Sequence, residues 1–146
     1  MPLQIELTSG WSPERMAEVL PSVRACLKKF VSEFPDEFTE DFLLGEVIHG
    51  RRLLWVVYDV ATPNRAVLTI LTETKVNNAT GNRFVEITAI GGERIREALP
   101  LLEEIEEWAA ATGADETFVI GRFGWIPLLA ERGYAKKAVI LKKRLN

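Results

Sequence analysis

Apolar side chains recur at three- and four-residue steps from Met16 through Val19, Leu20, Val23, Leu27, Phe30 and Val31 to Phe34, the spacing of one buried helical face. Ser12-Pro13-Glu14 just ahead supplies a capping hydroxyl, a proline suited to the first helical position and an acid beside the positive helix end. Pro21 removes a backbone donor in mid-pattern, which predicts a kink or two shorter helices. A second, short helix is expected from Thr39 or Glu40 to His49, ended by Gly50, with Phe42, Leu43 and Val47 facing inward.

The period then changes. Leu53-Leu54-Trp55-Val56-Val57-Tyr58 is short, aromatic and β-branched, and the Thr62-Pro63-Asn64 turn separates it from a second run, Ala66 to Thr74, giving a hairpin. A polar turn at Asn77 to Asn82 leads to a third strand, Phe84 to Ile90, which ends at Gly91-Gly92. Leu99, Leu102, Ile105, Trp108, Ala109 and Thr112 share a helical face, with Glu103, Glu104, Glu106 and Glu107 outward and Gly113 ending the helix. A short strand from Glu116 to Gly121, a short helix from Trp125 to Arg132 and a last strand from Tyr134 to Leu145 complete the order.

Composition narrows the function classes. The 146 residues suit one domain, and 47% hydrophobic with 27% charged residues is a globular balance. A net charge of −3 asks for no nucleic acid, and no stretch approaches the roughly 20 apolar residues that span a bilayer. The expectation is a cytoplasmic protein without a leader. Cys26 is the only cysteine and sits within the first apolar face, so it is expected in the core. One histidine and one cysteine give no zinc spacing, and no metal is expected.

The unit from Phe84 to Tyr134 resembles the GNAT (GCN5-related N-acetyltransferase) superfamily: a meander, a strand breaking at a glycine loop, a long helix, a strand, a short helix, then Gly133-Tyr134 entering another strand. Within it, Gly121-Arg122-Phe123-Gly124-Trp125 and Glu131-Arg132-Gly133-Tyr134 are similar to stretches of small GNAT-like bacteriophage proteins. The resemblance covers most of the chain. It implies a single α/β (α+β) domain over 1–146, with a mixed, mostly antiparallel sheet of about five strands and about four helices on both faces. It also implies acetyl-CoA or another acyl-CoA, bound where the third strand of the meander splays from its neighbour.

For that cofactor the implied contacts are Thr88, Ile90, Gly91, Gly92, Arg94, Arg96 and Arg122. A helix amino end with nearby glycines lets an anion approach backbone N–H groups. The family pattern, Gln or Arg, two residues, Gly, one residue, then Gly or Ala, is poorly matched by Gly91-Gly92-Glu93-Arg94-Ile95-Arg96, and a turn ahead of a surface helix explains the glycines equally. Pro100 must lie in the first helical turn or bend the helix.

Strand alternation places Phe84, Glu86, Thr88 and Ile90 on one face; some members of the family carry a glutamate on the equivalent strand, so the resemblance implies Glu86 as the general base, and an exposed strand glutamate is the alternative. The family's tyrosine acid would stand at Leu129, and neither Tyr58 nor Tyr134 replaces it. His49 suits a helix carboxyl end. Glu33, Asp36, Glu37, Glu40 and Asp41 form an acidic stretch suited to an amine or basic peptide, or simply a solvated loop; Lys136, Lys137, Lys142, Lys143 and Arg144 make a basic one. Only one strand follows Gly133 where the family fold has two, which leaves an open edge that a homodimer would cover. Two functions stand open: an N-acyltransferase acting on a small-molecule amine or protein acceptor, and a catalytically degenerate module contacting a phage virion or host protein.

Overall fold

The computed structural model describes residues 2–145. Among these, β1 (Leu3–Leu7) is followed by α1 (Pro13–Glu33), α2 (Glu40–Ile48), β2 (Leu53–Asp59), β3 (Leu68–Val76) and β4 (Arg83–Gly92). Then come α3 (Ile95–Ala98), α4 (Leu102–Ala111), β5 (Glu116–Val119) and α5 (Ile126–Ala130). The sheet runs in chain order; β1 to β4 pair antiparallel with their neighbours, and β5 lies parallel to β4. The fold is the expected mixed, mostly antiparallel sheet with helices on both faces.

Strand alternation divides the core. Leu54, Val56 and Tyr58 face a layer with Val19, Val23, Leu27 and Leu43 from α1 and α2, while Trp55 and Val57 face Leu102 and Ile105 of α4. α1 runs as one helix through Pro21, so the two shorter helices do not occur. A proline inside a helix costs about 3 kcal/mol. Val19, Val23, Leu27 and Phe30, all buried on this one helix, each recover about 1.5–3 kcal/mol. Ser22 fastens the same turn: its Oγ donates to Val19 O at 2.7 Å and accepts from Ala66 N at 2.8 Å.

Four further expectations change. β1 was not anticipated, although Leu3, Ile5 and Leu7 alternate with Gln4 and Glu6; it pairs with β2 from Leu3↔Asp59 to Leu7↔Trp55. The strand expected over Tyr134 to Leu145 does not form: residues 135–145 are exposed and carry no strand structure, because a ladder needs an opposing backbone and the segment meets none in this chain. Phe42 is 48% exposed, while Leu44 takes the inward position beside Leu43. The expected helix through Leu99 is divided by a tight turn at residues 99–101 containing Pro100.

β4 carries the sheet's main irregularity. Its register with β3 shifts between Leu71 and Thr72, so Ala89 pairs with Leu71 and Ile87 with Thr72, leaving Thr88 as the extra residue of a bulge. Beyond it the alternation is displaced by one. Ala89 packs under α1, and Ile90 turns to the α3–α4 layer instead of sharing the face of Glu86.

At the end of β4, α1 lies almost on the backbone. A Cβ placed on Gly91 would stand 2.5 Å from Cys26 O and 2.8 Å from Phe30 Cβ. These are helix backbone and stem atoms that cannot swing aside, so Gly91→Ala is expected to destabilise the protein by about 2–3 kcal/mol in urea unfolding. The conservative exchange at open Gly10, where a Cβ meets nothing within 4 Å, is the control and should change stability by less than about 1 kcal/mol.

Candidate functional site

β4 and β5 pair only from Phe84↔Glu116 to Ile87↔Val119. Ile120 N then donates to Ile87 O at 3.1 Å, and β5 has ended, while β4 continues to Gly92 opposite Leu68 of β3. The two strands therefore part beside residues 88–92, in a wedge bounded by the loop after β5, although residues 88–91 are themselves buried. Arg122 of that loop forms a 2.8 Å ion pair with Glu33 at the end of α1 and lies over the Trp125 ring. Trp125 in turn packs on Gly121, where a Cβ would come within 2.5 Å of the indole.

The glycines at the wedge serve packing. Gly91 yields to α1, and a Cβ on Gly92 (φ 138°) would meet Val67 O at 2.4 Å and Leu68 Cα at 2.7 Å. The next amide, Glu93 N, already donates to Val67 O at 2.9 Å. Arg94 has a left-handed backbone (φ 57°, ψ 38°), at the place where the pattern described above has glycine. Its guanidinium grips Glu97 through two bonds of 2.6 and 3.1 Å and reaches Asp59 Oδ2 at 3.1 Å. Those contacts, Glu97 first, raise the Arg94 pKa further above its ordinary value. Arg96 is exposed. The space beside Gly91-Gly92 is thus taken by α1, Val67 and Leu68, and Arg94 is paired with carboxylates.

Glu86 points from β4 into the layer of α1 and α2 and is 14% exposed. Lys75 Nζ donates to its Oε1 at 3.0 Å and lies 3.9 Å from Glu73, which stands directly opposite Glu86 on β3. Arg52 continues the chain of charges: it lies 4.0 Å from Glu73 and 3.8 Å from Glu46 of α2, and its Nη1 donates to Thr88 Oγ1 at 3.3 Å. Thr88 Oγ1 donates on to Leu71 O. Phe38 and Phe42 flank the Arg52 guanidinium at 5.8 and 5.9 Å. Two facing glutamates would repel; the interposed cations offset this. Sequence reasoning found Glu86 and Thr88 but missed Arg52, Glu46, Glu73 and Lys75. The available signal was a run of charges at β-spacing continuing the apolar face of Leu54 and Leu71.

The other titratable candidates have structural partners. Leu129, where the resemblance would place a tyrosine acid, is a buried aliphatic side chain. Tyr134 Oη donates to Glu106 Oε2 at 2.7 Å and accepts from Thr117 Oγ1 at 2.9 Å, and burial above all pushes its pKa up. His49 Nδ1 donates to Gly45 O at 2.8 Å at the end of α2. The Cys26 thiol is buried, and burial raises its pKa. Among the described residues no group of three or more His, Cys, Asp or Glu is placed to hold a metal, and no helix is long and apolar enough to cross a membrane.

Tyr58 Oη donates to Glu6 Oε2, and Arg15 Nη2 contacts the same oxygen at 3.0 Å. The tyrosine bond first, and Arg15 with it, lowers the Glu6 pKa below its usual 4.5. Burial and the same glutamate raise that of Tyr58. A carboxylate with a lowered folded pKa stabilises the fold above its unfolded pKa, and that contribution is lost as pH falls through the folded value. Glu6→Gln is therefore expected to flatten the fall in urea midpoint below about pH 4.5, leaving the remaining acid sensitivity to other carboxylates.

No protein-family model matches the chain, and no curated protein is significantly similar to it. Solved structures do share its fold. Glucosamine-6-phosphate N-acetyltransferase from Arabidopsis thaliana aligns over 100% of both chains with a TM-score of 0.66 and 9% identity. A GNAT family acetyltransferase from Staphylococcus aureus subsp. aureus aligns over 99% of this chain and 100% of that one, with a TM-score of 0.64 and 12% identity. An aminoglycoside acetyltransferase from an uncultured soil metagenomic sample, in complex with sisomicin, aligns over 99% and 97%, with a TM-score of 0.62 and 13% identity. At these identities the likeness is one of fold.

Proposed function

We propose that this protein is an acyl-CoA-dependent N-acyltransferase, with the acyl-pantetheine arm lying in the wedge between β4 and β5 and an amine as acceptor. The observation that carries this reading is the parting of the two strands after Ile87 and Val119, which leaves the β4 backbone of residues 88–92 without a β5 partner. An amide-rich extended arm suits such an edge. The fold neighbours, acetyltransferases by description, support the same reading.

The cofactor supplies an activated thioester when bound. From the protein, amides of β4 beside Thr88 and Ile90 donate to the acyl oxygen, a charge-stabilising role. The phosphate end falls to Arg96, which is exposed, and to Arg122, whose partner Glu33 is itself half exposed. Glu86 takes the proton of the acceptor ammonium. The Lys75 ammonium at 3.0 Å marks how a cation sits against that carboxylate, and the acceptor takes its place. Leu129 offers no proton, so the departing thiolate is protonated by solvent.

A second reading has its own support. The aliphatic Leu129, the committed Arg94 and the filled glycine turn favour a catalytically silent module that contacts another macromolecule, in line with the resemblance to small phage proteins. Calorimetry with acetyl-CoA and free CoA separates the two. Under the first reading, binding is saturable in the micromolar range and weakens about tenfold or more, about 1.4 kcal/mol, in Arg96→Glu/Arg122→Glu. Glu86→Gln keeps that binding and lowers acyl transfer to an amine panel about 10²–10⁴-fold. Absence of heat at millimolar ligand sinks the acyltransferase reading and leaves the second.

A further inference from the structure

Lys75 already stands where an acceptor amine would stand. It lies on β3 directly opposite Phe84. Its side chain nevertheless reaches diagonally across the strand pair to the next residue of that face, Glu86, and Nζ donates to Oε1 at 3.0 Å. The carboxylate is 14% exposed and the lysine 40%, so the amine is open to a reagent while it touches a mostly buried carboxylate. Two other lysines have carboxylate partners of a different kind. Lys29 meets Glu93 at 2.7 Å and Lys142 meets Asp36 at 3.6 Å, and in both pairs each side chain is more than half exposed. Of these three pairs, only that of Lys75 stands on β4, two residues ahead of the point where β5 parts from it.

We propose that Lys75 is a modification site of this protein: its own Nζ is the first acceptor at Glu86, and the side chain becomes an Nζ-acyl-lysine. The proposal rests on the acyltransferase reading above, from which it takes the acyl-CoA donor and the base. An ammonium has no lone pair and must lose a proton before it can attack. Glu86 Oε1 takes that proton across the 3.0 Å contact. The freed amine attacks the thioester carbonyl carbon; an N–C bond forms, and the C–S bond breaks with its electron pair leaving on sulfur. The nitrogen gives up a second proton, and the thiolate is protonated from solvent. One ammonium and one thioester thus yield one amide, one free thiol and one proton.

The step ends itself. An amide nitrogen is no nucleophile, so Lys75 accepts one acyl group and no more. Acylation also removes a positive charge and an ion-pair donor. Lys75 is the cation that lies 3.0 Å from Glu86 and 3.9 Å from Glu73, two glutamates that face each other across β3 and β4. Once it is neutral, Arg52, 4.0 Å from Glu73, is the cation left in that row, and Glu86 is released from its ammonium for an acceptor that arrives from solution.

The test uses the full chain with acetyl-CoA and no added amine, read by intact mass and by mapping the modified peptide. One acetyl group per chain should appear on Lys75, about tenfold or more faster than on Lys29 or Lys142. Its rate should not depend on protein concentration, as a step within one chain requires, and Lys75→Arg should remove the label without moving it to a neighbour. Glu86→Gln should slow the labelling about 10²–10⁴-fold. Acetic anhydride, which needs no protein site, should label Lys75 in that variant at least as fast as in the unaltered chain. The contrast separates a base from a holding ion pair: a carboxylate that only held the ammonium would shield it, and its loss would speed labelling by both reagents. Unchanged or faster labelling by acetyl-CoA in Glu86→Gln overturns the proposal. So does a Lys75 left unmodified by a protein that binds acetyl-CoA in calorimetry; transfer to the amine panel by that same protein would leave the acyltransferase reading standing. Absence of acetyl-CoA binding removes that reading and this proposal with it.

Discussion

The closeness of α1 to the end of β4 governs most of what surrounds it. Cys26 and Phe30 press on Gly91 so tightly that no side chain fits there, and Gly92 is wedged between Val67, Leu68 and Cys26. Because the helix rests on the sheet at that point, the buried face of α1 can extend from Val19 to Phe30 and offset Pro21. For the same reason the strand must leave sharply. Glu93 closes on Val67 O, Arg94 turns left-handed, and α3 begins immediately after. One packing contact thus accounts for both glycines, and the turn that follows brings the next charged group, Arg94, onto Asp59 and Glu97.

The fold was largely legible because its elements are periodic. The helical face of α1, the apolar run of β2 and the glutamate-backed face of α4 each buries a stripe that local spacing alone describes. β1 was legible too, in the alternation of Leu3, Ile5 and Leu7, but a segment considered only as a leader does not declare itself a strand. The segment over Tyr134 to Leu145 failed for a different reason. Strand pattern is a local property, whereas a strand is a pairing, and periodicity does not state whether a partner backbone is within reach. Pro100 shows the same limit, since its two allowed outcomes differ only in how α3 meets the sheet.

The site was legible in part. Glu86 follows from simple alternation, but Ile90 does not, because the bulge at Thr88 adds one residue and exchanges the faces beyond it. No residue type announces that bulge. Lys75 and Glu73 lie on β3, Arg52 just ahead of β2 and Glu46 on α2, and their row of alternating charge exists only once those elements are side by side. The β-spacing of Arg52, Glu73 and Lys75 was visible along each strand, but spacing does not state which of these charges meet across the sheet or that Glu46 joins them.

Arg94 shows why fold and chemistry separate in this architecture. The turn leaving β4 needs a left-handed residue whatever occupies it, and glycine meets that need without strain. Here an arginine meets it, held by a bidentate grip on Glu97 and by Asp59 at the end of β2. The ion pairs therefore do the conformational work that a missing Cβ would otherwise do. The backbone of residues 88–92, which β5 leaves without a strand partner, is set by strand pairing and not by any side chain. A chain can thus match acetyltransferase structures from end to end while Arg94, Gly91 and Gly92 serve its shape.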